Sequence, residues 1–239
     1  MAIYTSASDS FLRRNTATPT MSAYTSCVWI RRISIVGSYD TALTLELNGG
    51  ESLIWQLETS SLRPLIWNSG PNGTYIGTQT IPANEWFFAA HTCDGTTHTG
   101  YYGLRLDQKM DVATQSSLVT SSTDRLVLGN DQYVEGGNWE LASWKVWDRV
   151  LTAAELEDER RFYLPLNTHK LHLWAPLLSA NAGDEYRYDY SGNAKFLAIG
   201  GSHSSVQDVP PIGWAPKNRD FFDFSIAAAP SVARMILVT

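Results

Sequence analysis

The 239-residue sequence predicts an all-β sandwich of antiparallel strands with one short helix. Three observations support this: two-residue alternation in several apolar stretches, Gly, Asn and Asp between those stretches, and a single segment with helical start signals. The clearest alternation is TALTLELNGGESLIWQLE, where Leu43, Leu45 and Leu47 alternate with Thr44, Glu46 and Asn48. Successive strand side chains point to opposite faces, so this segment has one apolar face. Asn48-Gly49-Gly50 then supplies residues that tolerate positive φ, and Leu53, Trp55 and Leu57 resume the alternation, which predicts a hairpin. SCVWIRRISIV and EWFFAAHTCDGTTHTGYYGLRL behave alike, the second turning at Asp94-Gly95.

The helix is predicted near residues 153–162, in LTAAELEDERRF. Thr152 can accept from the backbone of Glu155 while Glu155 reaches back, a capping box, and Leu151 and Leu156 are spaced for a hydrophobic staple. Glu155 and Glu157 ahead of Arg160 and Arg161 also suit the helix dipole.

With 44% hydrophobic and 18% charged residues, the chain can bury one large core, and all-β sandwiches reach this length as one domain. The expected organisation is an N-terminal arm at 1–21, a sandwich at 22–205 whose late segment 168–200 completes an edge, and a Pro-rich, apolar docking segment at 206–239. A net charge of -6 with scattered basic pairs disfavours nucleic acid as a partner. The first twenty residues lack the basic-then-apolar pattern of a secretory leader. The tail SIAAAPSVARMILVT is interrupted by Pro230 and Arg234 and falls short of the ~20 apolar residues of a membrane span, so a closing strand or docking segment is expected. Cys27 and Cys93 are expected to be free, buried thiols.

At EWFFAAHTCDGTT, DRLVLGND and GNWELASWKVWDRVLTAAELEDERR the sequence resembles the laminin-G-like branch of the concanavalin A-like superfamily. Trp86, Ala90, Asp94, Gly95, Leu128, Gly129, Trp144, Val146, Trp147, Arg149, Leu151, Thr152 and Glu155 occupy the positions that carry the likeness, over roughly residues 22–162. The resemblance implies a jelly-roll of two antiparallel sheets. Relatives often open with a Leu-x-x-Trp strand and an Asp-x-Ser-Gly-Asn turn. Here Leu171, Leu173, Trp174, Asp189, Ser191, Gly192, Asn193, Phe196 and Leu197 supply that element late in the chain, either completing the sandwich edge or beginning a second partial module.

Glucanases of this fold resemble one another in a Glu-x-Asp-x-x-Glu strand, which this sequence lacks. Its nearest acidic cluster, Glu155, Glu157, Asp158 and Glu159, falls on the predicted helix, where a solvated charged face is expected, so no enzyme activity is expected. His91, Cys93, Asp94 and His98 allow a metal or nucleophile cluster, but a core position for Cys93 and a turn at Asp94-Gly95 explain them better. His169 and His172, three apart in a strand, face opposite ways. Calcium is the one cofactor to consider: the resemblance implies loop oxygens at the sandwich rim, with Asn130, Asp131 and Glu135 in one loop and Asp189 and Asn193 in another, although such residues also build turns without a metal.

Nine tryptophans and eleven tyrosines invite a sugar-binding reading. Trp29, Trp86, Trp144 and Trp174 sit in apolar strand patterns and belong in the core. Trp55, Trp67, Tyr75, Tyr133 and Trp139, in or near polar loops, are the candidate ligand contacts. The functional expectation is a non-catalytic binding protein of a virion, such as a phage capsid-decoration or tail protein, whose partners are other structural proteins, copies of itself and surface glycans. The alternative is a stand-alone extracellular lectin domain, and the third reading is a glycoside hydrolase.

Overall fold

The computed structural model describes residues 2–15, 23–47, 52–68, 73–116, 123–129, 137–177, 188–193, 197–206 and 209–215. The Asn48-Gly49-Gly50 turn, the loop bearing Asn130, Asp131, Tyr133 and Glu135, and the tail from residue 216 lie outside them.

One sheet runs β6 (Thr74–Tyr75), β5 (Arg63–Asn68), β4 (Ser52–Glu58), β3 (Tyr39–Leu47) and β10 (Thr123–Gly129). The other runs β11 (Asn138–Trp147), β2 (Tyr24–Ser34), β7 (Trp86–Cys93), β8 (Thr97–Gly103) and β9 (Asp111–Ser116), with β12 (Leu171–Ala175) beside β11. Residues Ala2–Asn15, expected as an arm, form β1, which ties the two sheets together. Its Ile3–Thr5 pair with β11, its Phe11–Asn15 pair with β10, and β13 (Ala198–Val206) pairs along it. These pairings are antiparallel throughout, as the hairpin pattern requires.

Alternation decides what lies between the sheets. Leu43, Leu45, Leu53, Trp55 and Leu57 face Val28, Ile30, Phe87, Ala89 and Tyr102 in one core, to which the late residues Leu173, Ala175, Leu177 and Leu197 also belong. Cys27, Trp29, Phe88, Ala90 and Trp147 lie on the opposite face of the β2–β7–β11 sheet and form a second cluster under the helix. Neither thiol forms a disulfide, and both are buried, one in each cluster.

Five indoles are sealed from water: Trp29, Trp55, Trp139, Trp144 and Trp147. Each removes roughly 200 Å² from water, an upper bound of about 5 kcal/mol, against about 1 kcal/mol net for its N–H bond. Burial therefore dominates, but an orphaned N–H would erode it. All five are satisfied, Trp29 by the Arg160 carbonyl (2.9 Å), Trp55 by Tyr101 (3.0 Å), Trp139 by Thr41 (3.0 Å), Trp144 by the Ser26 hydroxyl (3.1 Å) and Trp147 by Asn167 (2.6 Å).

A bulge at Ser143, whose φ is 55°, shifts the β11 register between Ala142 and Lys145. Before it Trp139 and Leu141 point into the main core; after it Trp144 and Val146 do. The shift turns Lys145 outward, where it meets α1 (Ala153–Glu159). The helix begins as expected: Thr152 accepts from the Glu155 N–H, Glu155 accepts from the Thr152 N–H, and Leu151 and Leu156 are both buried. The acidic cluster matches the solvated face expected of it at Asp158, which is exposed, and departs from it at the other three. Glu159 is buried against Lys145, Glu157 pairs with Arg160, and Glu155 pairs with Arg149 at 2.7 Å. None of these three carboxylates is spare, and the helix is buried at Leu156 and Glu159.

Candidate functional site

The outer face of the β4–β5–β6 edge gathers the polar and aromatic groups that the core rejects. Trp55, Leu57 and Ile66 point inward, so Gln56 and Glu58 on β4 and Arg63, Leu65 and Trp67 on β5 point away; of these Gln56 and Leu65 are buried, and Glu58, Arg63 and Trp67 are half-buried. Register places Glu58 opposite Arg63, Ile54 opposite Trp67, and Leu65 opposite Tyr75. Trp67 and Tyr75 are thus diagonal neighbours on one face, Trp67 half-buried and Tyr75 37% exposed.

Tyr75 is held by its surroundings. The Arg63 guanidinium lies 4.1 Å from its ring centroid and donates to the Gly77 carbonyl at 2.7 Å. The Tyr75 hydroxyl donates to Glu58 Oε2, which also accepts from Ser61 Oγ at 2.6 Å. These hydrogen bonds, that of Ser61 first, hold the Glu58 carboxyl below its ordinary value, and the same bond to Glu58 raises the Tyr75 phenol. Gly77, at φ 65°, sits against the Asp111 carboxylate, where a Cβ would clash. Just beyond it opens a cleft of about 480 Å³ lined by Thr78, Gln79, Thr80, Pro82, Glu85 and Leu104. Such an arrangement offers an anchored ring for stacking and fixed donors and acceptors for hydroxyl groups, beside space for a longer ligand.

The remaining candidates fall elsewhere. Trp55 and Trp139 are in the core, so neither presents a ring to solvent; for Trp55 the alternation with Leu53 and Leu57 already placed it there. Tyr133, Asn130, Asp131 and Glu135 lie outside the described residues. Asp189 is buried, and its Oδ1 accepts from the Trp174 N–H (3.0 Å) and the Ser191 N–H (2.9 Å), while Asn193 Nδ2 donates to the His172 carbonyl (2.8 Å). Both therefore fasten a turn onto β12. Among the described residues no three His, Cys, Asp or Glu side chains are grouped to hold a metal. His91 and His98 do meet, with Nδ1 and Nε2 3.3 Å apart and Tyr24 Oη 3.4 Å from His91 Nδ1, all within the core. Arg63, Glu58 and Ser61 were not among the sequence candidates; the β4–β5 register that assembles them is needed to see them.

A family model described as the concanavalin A-like lectin/glucanases superfamily, of the laminin G type, matches residues 6–157. The chain belongs to this superfamily. Among solved structures, this superfamily member is similar to a candidate carbohydrate binding protein from Bacteroides ovatus (TM-score 0.62, 13% identity, 89% of this chain and 62% of that one). It is similar also to a tailspike protein of Escherichia coli O157:H7 bacteriophage CAB120 (0.56, 12%, 74% and 28%). A third is the heptameric SAP-like pentraxin of Limulus polyphemus (0.50, 15%, 65% and 79%). The chain thus spans less than two thirds of the Bacteroides protein and about a quarter of the tailspike. No curated protein matches it. Among the described residues no helix is long and apolar enough to cross a membrane.

Proposed function

We propose that this chain is a non-catalytic carbohydrate-binding protein whose contact surface is the β4–β5–β6 edge. The observation that carries the reading is the exposed Tyr75 ring, locked by Arg63 on one face and by Glu58 at its hydroxyl, with Trp67 beside it on the same face. A ring fixed in advance loses little freedom when a sugar stacks on it, and the paired charges around it offer both donors and acceptors. The lectin-containing superfamily and the fold shared with a candidate carbohydrate binding protein are consistent with this role. Catalysis is not part of the proposal: Glu155, Glu157 and Glu159 of the helix are engaged in structural pairs. For setting, the proposal favours a virion component, in keeping with a sandwich also present in a phage tailspike, over a free extracellular lectin.

The test is a glycan array probed with the whole chain and with Tyr75→Ala. Saturable binding by the wild type that the variant loses supports the reading. No retained glycan, or binding indifferent to Tyr75, overturns it. Incubation of bound glycans with the protein should release no free sugar.

A further inference from the structure

Resting on the carbohydrate reading, we infer that the Tyr75 surface selects neutral saccharides and rejects acidic ones, and that Glu58 is the group that discriminates. A carboxylate is acceptor-only, with about four lone-pair sites. Ser61 Oγ and the Tyr75 hydroxyl take up two at Oε2 of Glu58, which fixes the group and leaves its other oxygen to accept hydroxyls from a sugar stacked on the ring. Vicinal hydroxyls can donate there. The carboxylate of a sialic or uronic acid brings no proton to donate and meets a like charge at close range.

The surroundings deepen that bias. Asp111 abuts Gly77, whose carbonyl holds Arg63, and Glu85 lines the adjoining cleft. Glu58 faces the Arg63 guanidinium across the β4–β5 pair, and that guanidinium is already turned onto the Tyr75 ring and the Gly77 carbonyl. A ligand running from the ring toward Thr78 and Glu85 moves from one carboxylate toward the next. Repulsion between charges so near the surface is screened by salt over a Debye length of about 8 Å at physiological ionic strength, so the discrimination should weaken as salt rises.

The experiment presents the whole chain with matched pairs of oligosaccharides, each neutral glycan beside its sialylated or uronic-acid counterpart, and repeats the titration with Glu58→Gln and Tyr75→Ala. The inference expects neutral members to bind at least about tenfold tighter than acidic ones, a gap that narrows to about threefold or less in Glu58→Gln and on raising the salt of the wild-type titration. The salt titration needs no variant and so stands even if Glu58→Gln is poorly folded. Acidic members binding as tightly as neutral ones, in a manner lost with Tyr75→Ala, overturns the selectivity while leaving the carbohydrate reading in place. Absence of any glycan binding overturns both.

Discussion

Lys145 Nζ lies 2.9 Å from Glu159 Oε2, with both side chains sealed from water. The ammonium also donates to the carbonyls of Glu159 (3.0 Å), Phe162 (2.7 Å) and Leu164 (3.3 Å). The other carboxylate oxygen accepts from the Leu166 and Asn167 N–H groups and from Asn167 Nδ2. One ion pair therefore fixes the chain from α1 to residue 167 onto the sheet. Removing one partner leaves an uncompensated buried charge, so Lys145→Met is expected to cost about 3–5 kcal/mol in urea denaturation. Lys145→Met with Glu159→Leu should recover only part of this, because the carbonyls and N–H groups around the pair stay orphaned; full recovery would show that the network adds nothing beyond the pair.

His91 and His98 set a second expectation. Burial holds both imidazoles neutral, His98 with its pKa lowered to about 3 and His91 well below its ordinary value, the latter aided by the neighbouring His98. The folded pKa values lie below the unfolded value near 6.5, so above that pH neither state takes up a proton and stability is flat. As pH falls below it, the unfolded chain binds protons that the folded chain refuses, and stability drops on the order of 1 kcal/mol per pH unit for each imidazole. Glu155, held down to about 2 mainly by Arg149, contributes in a separate and lower window, lost as pH falls from the ordinary carboxylate range toward 2. Thermal midpoints measured from pH 8 to 5 should stay level and then decline below about 6. His98→Leu should halve the slope; an unchanged slope would remove the imidazoles as its source.

Thr152 isolates the helix start. Its hydroxyl accepts from the Glu155 N–H at 3.2 Å, at a position where the side chain is otherwise exposed. Thr152→Ala should cost about 1 kcal/mol and Thr152→Ser very little. Equal losses from the two would show that the methyl group, and not the cap, stabilises this turn.

These elements differ in how far the sequence alone revealed them. The capping box, the turn at Asp94-Gly95 and the inward Leu43, Leu45, Leu53 and Leu57 are local patterns, set by neighbours within a few residues, and all appear as read. The sequence predicts a solvated Glu159 because its partner Lys145 lies fourteen positions earlier and faces it only through the Ser143 bulge, which no period-two pattern announces. Ala2–Asn15 has no sustained alternation, yet forms a strand because β10, β11 and β13 satisfy its backbone. The Tyr75 surface draws on three strands and a turn, so its members become neighbours only once register is known.

Trp55 and Tyr75 give the sharpest contrast between a core aromatic and a site aromatic. Trp55 is fully buried, stacked on Phe87 at 5.9 Å with its N–H donated to the Tyr101 carbonyl, so Trp55→Ala opens a cavity and orphans an acceptor. That should cost about 3–5 kcal/mol whatever ligand is present. Tyr75 is exposed, and its ring rests on Arg63 rather than on the core. Tyr75→Ala should change the urea midpoint by less than about 1 kcal/mol equivalent while removing glycan binding. Tyr75→Phe keeps the ring but frees Glu58 from one donor, and should weaken binding by only a few-fold. If Tyr75→Ala destabilised the fold as much as Trp55→Ala, the ring would be a structural prop and the β4–β5–β6 edge would lose its standing as a binding surface.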